Sequence, residues 1–138
     1  MYIKGKFVSG QELDEVKEVR SSCGVEVSDT DDSMAIHVVA YCVDEETKPV
    51  AAGRLRFDGE EYTIDAVCRR PEETDEYTDF VLKMLIYQAV QHGANQIMAK
   101  CAVEQIGLYK RNRFALVEEM DGQCLMCMEN AAVHHCCN

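Results

Sequence analysis

Apolar positions recur along the chain in two periods, and the switch between them marks the elements. Residues 1–8, MYIKGKFV, alternate weakly, as a first strand does. After Ser9-Gly10, Leu13, Val16 and Val19 fall at i, i+3 and i+6, which predicts a helix with Ser9 as its cap. The stretch 28–33, SDTDDS, is dense in turn formers and reads as a surface loop. MAIHVVAYCV at 34–43 is almost continuously apolar, which predicts a central strand covered on both faces. A turn over 44–48 leads to Pro49, and VAAGRLRF at 50–57 then alternates. Gly53, Leu55 and Phe57 share one face and Arg54 and Arg56 the other, as in a half-exposed antiparallel strand. Asp58-Gly59 is a hairpin signal, and EYTIDAVC at 61–68 would place Tyr62, Ile64, Ala66 and Cys68 on one face.

From Thr74 the period becomes helical. Tyr77, Phe80, Val81, Met84 and Leu85 fit one apolar stripe that runs to the stop signal His92-Gly93. Gln96 to Lys100 reads as a short strand and Val103 to Arg111 as a shorter helix. FALVEEM at 114–120 and CLMCMEN at 124–130 read as two strands joined around Asp121-Gly122, and AVHHCCN at 132–138 as an edge or tail. The order predicts an α/β (α+β) fold, a mixed and mostly antiparallel sheet flanked by helices on both faces, with 1–138 as one domain.

Composition narrows the function classes. A net charge of −11, spread along the chain, repels nucleic acid and anionic membranes, so neither is an expected partner. No stretch reaches the roughly 18 apolar residues of a membrane span, and the start lacks a basic region followed by an apolar run. The expectation is therefore cytoplasmic. Eight cysteines, with Cys42, Cys68 and Cys101 inside apolar runs, read as reduced small apolar residues.

The string IGLYKRNRFALVEE at 106–119 carries a resemblance. Ile106-x-Leu108-Tyr109 followed by Arg113-Phe114 resembles the GNAT acyltransferase superfamily, whose pattern is an aliphatic-x-aliphatic-Tyr helix, basic residues, then Gly-Phe opening a strand. Arg113 stands where the pattern has glycine. The element order matches over nearly the whole chain, and the resemblance implies a GNAT-like fold and amine acetylation from acetyl-CoA as co-substrate.

It also implies a pyrophosphate held by backbone N–H groups at the start of the long helix, a use of the positive helix end. The family's loop there is Arg or Gln, two residues, Gly, one residue, then Gly or Ala. In this chain Thr74, Tyr77 and Asp79 occupy the three positions, with Thr78 between the last two, so the signature is degenerate. Glu72, Glu73, Asp75, Glu76 and Asp79 gather against Arg69 and Arg70, and each carboxylate should oppose a diphosphate by about 1 kcal/mol. Ala102 falls where the family often has an Asn that contacts the CoA arm.

By the same resemblance Tyr109 is the candidate acid for the departing thiolate, against a reading as a tyrosine packed at a helix–sheet seam. The oxyanion donor would be a backbone amide near Cys68 or Arg69. Asp65 is the candidate base, weighed against an ordinary solvated strand carboxylate. Lys110, Arg111 and Arg113 could meet nucleotide phosphates, but basic residues at a helix C-terminus ordinarily serve the macrodipole. His37 reads as a hydrogen-bonded core histidine and His92 as a helix cap. Cys124-x-x-Cys127 with His134, His135, Cys136 and Cys137 invites a metal reading, but strand residues three apart face opposite sides, so no metal is expected. Two functions follow: an N-acetyltransferase whose acceptor is a small-molecule or protein amine, or a GNAT-fold binding or regulatory module that no longer binds CoA. A homodimer is compatible with either.

Overall fold

The computed structural model describes residues 3–8, 13–25, 32, 34–42 and 48–132. The expected Ser9 cap, most of the 28–33 loop, the turn over 44–47 and the histidines and cysteines of the tail lie outside these residues. Strands β1 (Ile3–Val8), β2 (Ala35–Cys42), β3 (Pro49–Asp58) and β4 (Glu61–Arg69) form an antiparallel meander, with helix α1 (Asp14–Cys23) between β1 and β2. Helix α2 (Asp75–Gln91) carries the chain to β5 (Ile97–Ala102), which runs parallel to β4. A 3-10 turn (Val103–Gln105) leads into helix α3 (Ile106–Arg111), and β6 (Ala115–Met120) and β7 (Gln123–Met128) close the chain. The seven strands form one sheet in the order β1-β2-β3-β4-β5-β7-β6, mixed and mostly antiparallel.

Alternation along the strands builds a core on each side of the sheet. Val38, Ala40, Leu55 and Ile64 point to one face, where Val81, Leu82 and Leu85 of α2 and Leu108 of α3 cover them. Val39, Tyr41 and Ala52 point to the other and meet Val16 and Val19 of α1. Gly53 lets α2 come down on β3: a Cβ there would lie 2.6 Å from Val81 and 2.8 Å from Leu85.

Helix α1 has Leu13 as its N-cap residue, without a side-chain cap bond, and ends at Gly24 in the left-handed conformation, φ 74°. Two expectations are corrected. First, β3 is not half-exposed: positions 49 to 55 are all buried, because β3 is central and covered on both sides, and Arg54 lies inside at 3% exposure. Second, β4 does not keep Tyr62, Ile64, Ala66 and Cys68 on one face. Arg54 pairs with Asp65 but Ala52 with Cys68, so β4 carries one extra residue, a bulge at Ala66 with φ 53°. Beyond it Val67 joins the α2 core and Cys68 crosses to the α1 core.

The bulge has a second effect. Strands β4 and β5 pair only at Thr63–Met98 and Ile64–Ala99, and part beyond. At the far edge, β6 is exposed at all six positions and pairs only with β7.

Candidate functional site

Strands β4 and β5 part on the side of Cys68, near which the resemblance places the oxyanion donor, and one of the chain's own side chains spans the gap. Gln105, last in the 3-10 turn, donates from Nε2 to the Val67 carbonyl of β4 at 2.8 Å. Its Oε1 accepts from the Ala102 N–H at the end of β5, at 3.3 Å. One carboxamide therefore satisfies a carbonyl and an N–H that the missing strand pairing would leave open.

Beneath it, α3 buries Tyr109 completely, its ring edge-on to Phe114 at 5.4 Å and 74°. The Tyr109 hydroxyl has no hydrogen-bond partner among the described residues. Burial pushes its pKa well above the ordinary tyrosine value, and the neighbouring Cys101, Asp65 and Cys68 push it further. The hydroxyl is therefore held in its protonated form.

At the start of α2 the remaining candidates cluster. Thr74 is the N-cap residue, extended, without a side-chain cap bond. The Tyr77 N–H turns back to the Thr74 carbonyl at 3.2 Å, and the Thr78 hydroxyl donates to the Asp75 carbonyl at 2.9 Å. Tyr77 is packed in the main core, where burial, then a hydrogen bond with Cys42, push its pKa up to about 12. Asp79 accepts from Lys83 at 2.6 Å and from the Asn112 side chain, at the end of α3, at 2.8 Å. This last bond ties the start of α2 to the end of α3. The two arginines are engaged as well: Arg69 holds Asp75 at 2.9 Å, and Arg70 holds Glu18 at 2.7 Å and the Pro49 carbonyl at 2.6 Å.

Asp65 faces the α1 side within a buried charged network. Arg54 grips both its oxygens, at 2.7 and 2.9 Å, and Arg56 stands 3.0 Å from Oδ2. Arg54 also reaches Asp32 at 3.2 Å, and Arg20 of α1 reaches the same carboxylate at 2.8 Å. Asp32, expected in a surface loop, is 2% exposed: two guanidiniums replace the water it gives up. His37 completes the network as the core histidine expected from sequence. Arg20 Nη2 lies 3.3 Å from its Nδ1 and its Nε2 lies 3.0 Å from the Asp32 carbonyl, which assigns the proton to Nε2. Burial holds its pKa below the ordinary value.

The structure thus gathers Arg69, Thr74, Tyr77, Thr78 and Asp79 at one helix start and sets Tyr109 within electrostatic reach of Asp65 and Cys68. Gln105 and Asn112 are the residues that sequence reasoning missed. The signal for Gln105 was available: a glutamine three residues past a strand end is the capping-box spacing, and its side chain does bond the N-cap backbone. Cys124 points into the main core and Cys127 away from it. Among the described residues no three His, Cys, Asp or Glu side chains converge on a point a metal could occupy. A hollow of about 360 Å³ lies on the face that carries Arg56, lined also by Glu61, Thr63, Met98, Lys100 and Leu125. Among the described residues no helix is long and apolar enough to cross a membrane.

No family model matches the chain, and no curated protein matches its sequence. Solved structures match over nearly its whole length. An N-acetyltransferase from Staphylococcus aureus Mu50 superposes with a TM-score of 0.72 at 14% identity, covering 94% of this chain and 98% of that one. An acyl-CoA N-acyltransferase from Pseudomonas aeruginosa gives 0.73 at 13% identity, over 92% and 99%. The PaiA N-acetyltransferase from Thermoplasma acidophilum, solved in complex with coenzyme A, gives 0.70 at 11% identity, over 94% and 99%. At these identities the likeness is one of architecture, and it establishes that the chain has the fold of the GNAT N-acetyltransferases.

Proposed function

We propose that the chain is a GNAT-fold binding or regulatory module whose own side chains occupy the place of acyl-CoA. The observation that carries this reading is the Gln105 carboxamide between Val67 and Ala102. It presents the donor and acceptor that an amide of a pantetheine arm would present. Two further contacts agree. Tyr77 fills core volume where the signature glycine would leave room, and the Asp79–Asn112 bond fastens α2 to α3. Charge adds to the obstruction, since Asp75 and Glu76 sit in the first turn of α2 and both nearby arginines are already paired. A cationic or neutral partner suits the net charge of −11.

Calorimetric titration with acetyl-CoA at low and moderate salt tests the reading. The wild type should give no heat, and a Gln105→Ala, Tyr77→Gly, Asp79→Gly variant should bind. Binding by the wild type at micromolar strength, about −8 kcal/mol, would overturn it.

One observation favours a second reading, acetyl transfer from acetyl-CoA to a small-molecule or protein amine. The Tyr109 hydroxyl is buried without a partner, as an acid awaiting a thiolate would be. In that reading both Asp65 oxygens are already engaged by Arg54 and Arg56, so the amine loses its proton to solvent. Release of CoA thiol with an amine panel, abolished in Tyr109→Phe, would support it.

A further inference from the structure

Cys23 is the last residue of α1, and Cys68 lies one residue from the end of β4. The bulge at Ala66 turns Cys68 onto the α1 face. There the two thiols share the apolar cluster of Val16, Val19, Val39 and Ala52 and lie close enough to perturb one another's ionisation, while the Cys23 thiol also bonds the Val19 carbonyl at 3.3 Å. Their surroundings differ in one respect. Cys68 is 5% exposed, whereas Cys23 is only half-buried, so a small solute meets Cys23 first.

We propose that Cys23 and Cys68 form a peroxide-responsive dithiol in which Cys23 attacks and Cys68 resolves. The reacting form of cysteine is the thiolate. The neighbouring Cys68 thiol holds the Cys23 pKa below the ordinary thiol value against the cost of burial, and backbone N–H groups at the end of α1 and the charge of Arg20 assist. Cys68 is pushed in the opposite direction, chiefly by the neighbouring Cys23 and by burial, so it keeps its proton until a sulfur electrophile appears beside it.

The steps balance. Cys23 sulfur attacks one peroxide oxygen and the O–O bond breaks, leaving a sulfenic acid and an alkoxide or hydroxide that takes up a proton. Cys68 sulfur then attacks Cys23 sulfur. The S–S bond forms, the sulfenic oxygen leaves as hydroxide, and the Cys68 proton converts it to water. Two thiols are oxidised by two electrons, and one hydroperoxide is reduced to an alcohol, or to water when the oxidant is hydrogen peroxide, with one further water. The product joins the end of α1 to β4 just beyond the bulge.

A second cysteine pair serves as an internal contrast. Cys101 and Cys124 stand directly opposite one another on β5 and β7, but both are buried, and burial pushes Cys101 up to about 12. These two should stay thiols.

The test treats the full chain with hydrogen peroxide, blocks remaining thiols with iodoacetamide, digests it with trypsin without reduction and weighs the peptides. Residues 21–54, which hold Cys23 and Cys42, should be recovered linked to residues 57–69, which hold Cys68, two hydrogens lighter than the sum. The link should persist in Cys42→Ser, vanish in Cys23→Ser and reverse with dithiothreitol. In Cys68→Ala a Cys23 sulfenic acid should accumulate and be trapped by dimedone. Recovery of Cys23 and Cys68 both alkylated, or of Cys23 as a sulfinic acid beside an alkylated Cys68, would overturn the proposal, as would a link made through Cys42. Should Cys68→Ala fail to fold, Cys23→Ser and Cys42→Ser, both at partly exposed positions, still decide the matter.

Discussion

Arg54 holds Asp65 with two parallel hydrogen bonds and turns its remaining nitrogen to Asp32, so a single guanidinium bridges two carboxylates that Arg20 and Arg56 also contact. Neither acid is solvated, and both depend on it. Arg54→Met should cost about 3–5 kcal/mol in urea denaturation, because two buried carboxylates then share only Arg20 and Arg56. Replacing Arg54 and Asp65 together with apolar residues should cost less than Arg54→Met alone, and a larger loss in the double variant would refute the pairing argument.

The same network makes the fold sensitive to acid. Burial alone would raise the Asp32 pKa, but its hydrogen bond to Arg20 and the surrounding positive charge hold it below the ordinary carboxylate value. Its stabilisation is therefore present above the unfolded value near 3.8 and is lost as pH falls through the folded one. His37, buried and held below 6.5, acts in the same direction: the unfolded chain takes its proton first, so stability declines as pH drops below 6.5. Melting temperature should fall between pH 7 and pH 5, and that slope should flatten in His37→Gln. An unchanged slope would show that another group titrates.

Arg113 sits in the left-handed region at φ 71°, the position where the resembling pattern has glycine. A side chain there costs about 1–2 kcal/mol, and glycine's greater freedom in the unfolded chain returns part of it. Arg113→Gly should gain about 0.5–1 kcal/mol by thermal denaturation.

Gly53 predicts the opposite sign. A methyl group there meets Val81 and Leu85 of α2 at less than van der Waals distance, so Gly53→Ala should lose about 1–3 kcal/mol. A neutral outcome would mean that α2 can lift from the sheet.

Gln105→Ala should cost about 1 kcal/mol, since water can replace both lost bonds at a partly buried position. By itself the change should not produce acetyl-CoA binding, because the acidic start of α2 and the buried Tyr77 remain.

The sequence made the element order legible because each strand and helix carries its own period: the apolar run at 34–43, the stripe from Tyr77 to Leu85 and the hairpin at Asp58-Gly59 each announce themselves locally. The Ala66 bulge did not, since an alanine with positive φ leaves no mark on an alternating pattern, and with it went the facing of Cys68. Arg54 and Asp32 were misplaced for a related reason: a charged residue reads as surface unless its partner is known, and Asp65 and Arg20 lie 11 and 12 positions away respectively. At the candidate site, Tyr109 and the altered α2 start came from the resemblance. Gln105 lies just before the pattern begins, and Asn112 falls where the pattern asks only for basic residues.

The two residue pairs that join β4 to β5 also bear on how the chain folds. Strands β1–β4 are consecutive in sequence, as are β5–β7, so each half of the sheet can zip up through near-neighbour contacts with little loop-closure entropy. Only the seam between the halves must wait for α2 to bring distant segments together. Cooperativity across the molecule therefore depends on that helix and on the few side chains that bridge the seam, and hydrogen exchange should find the amides beside it opening before those at the centre of either half.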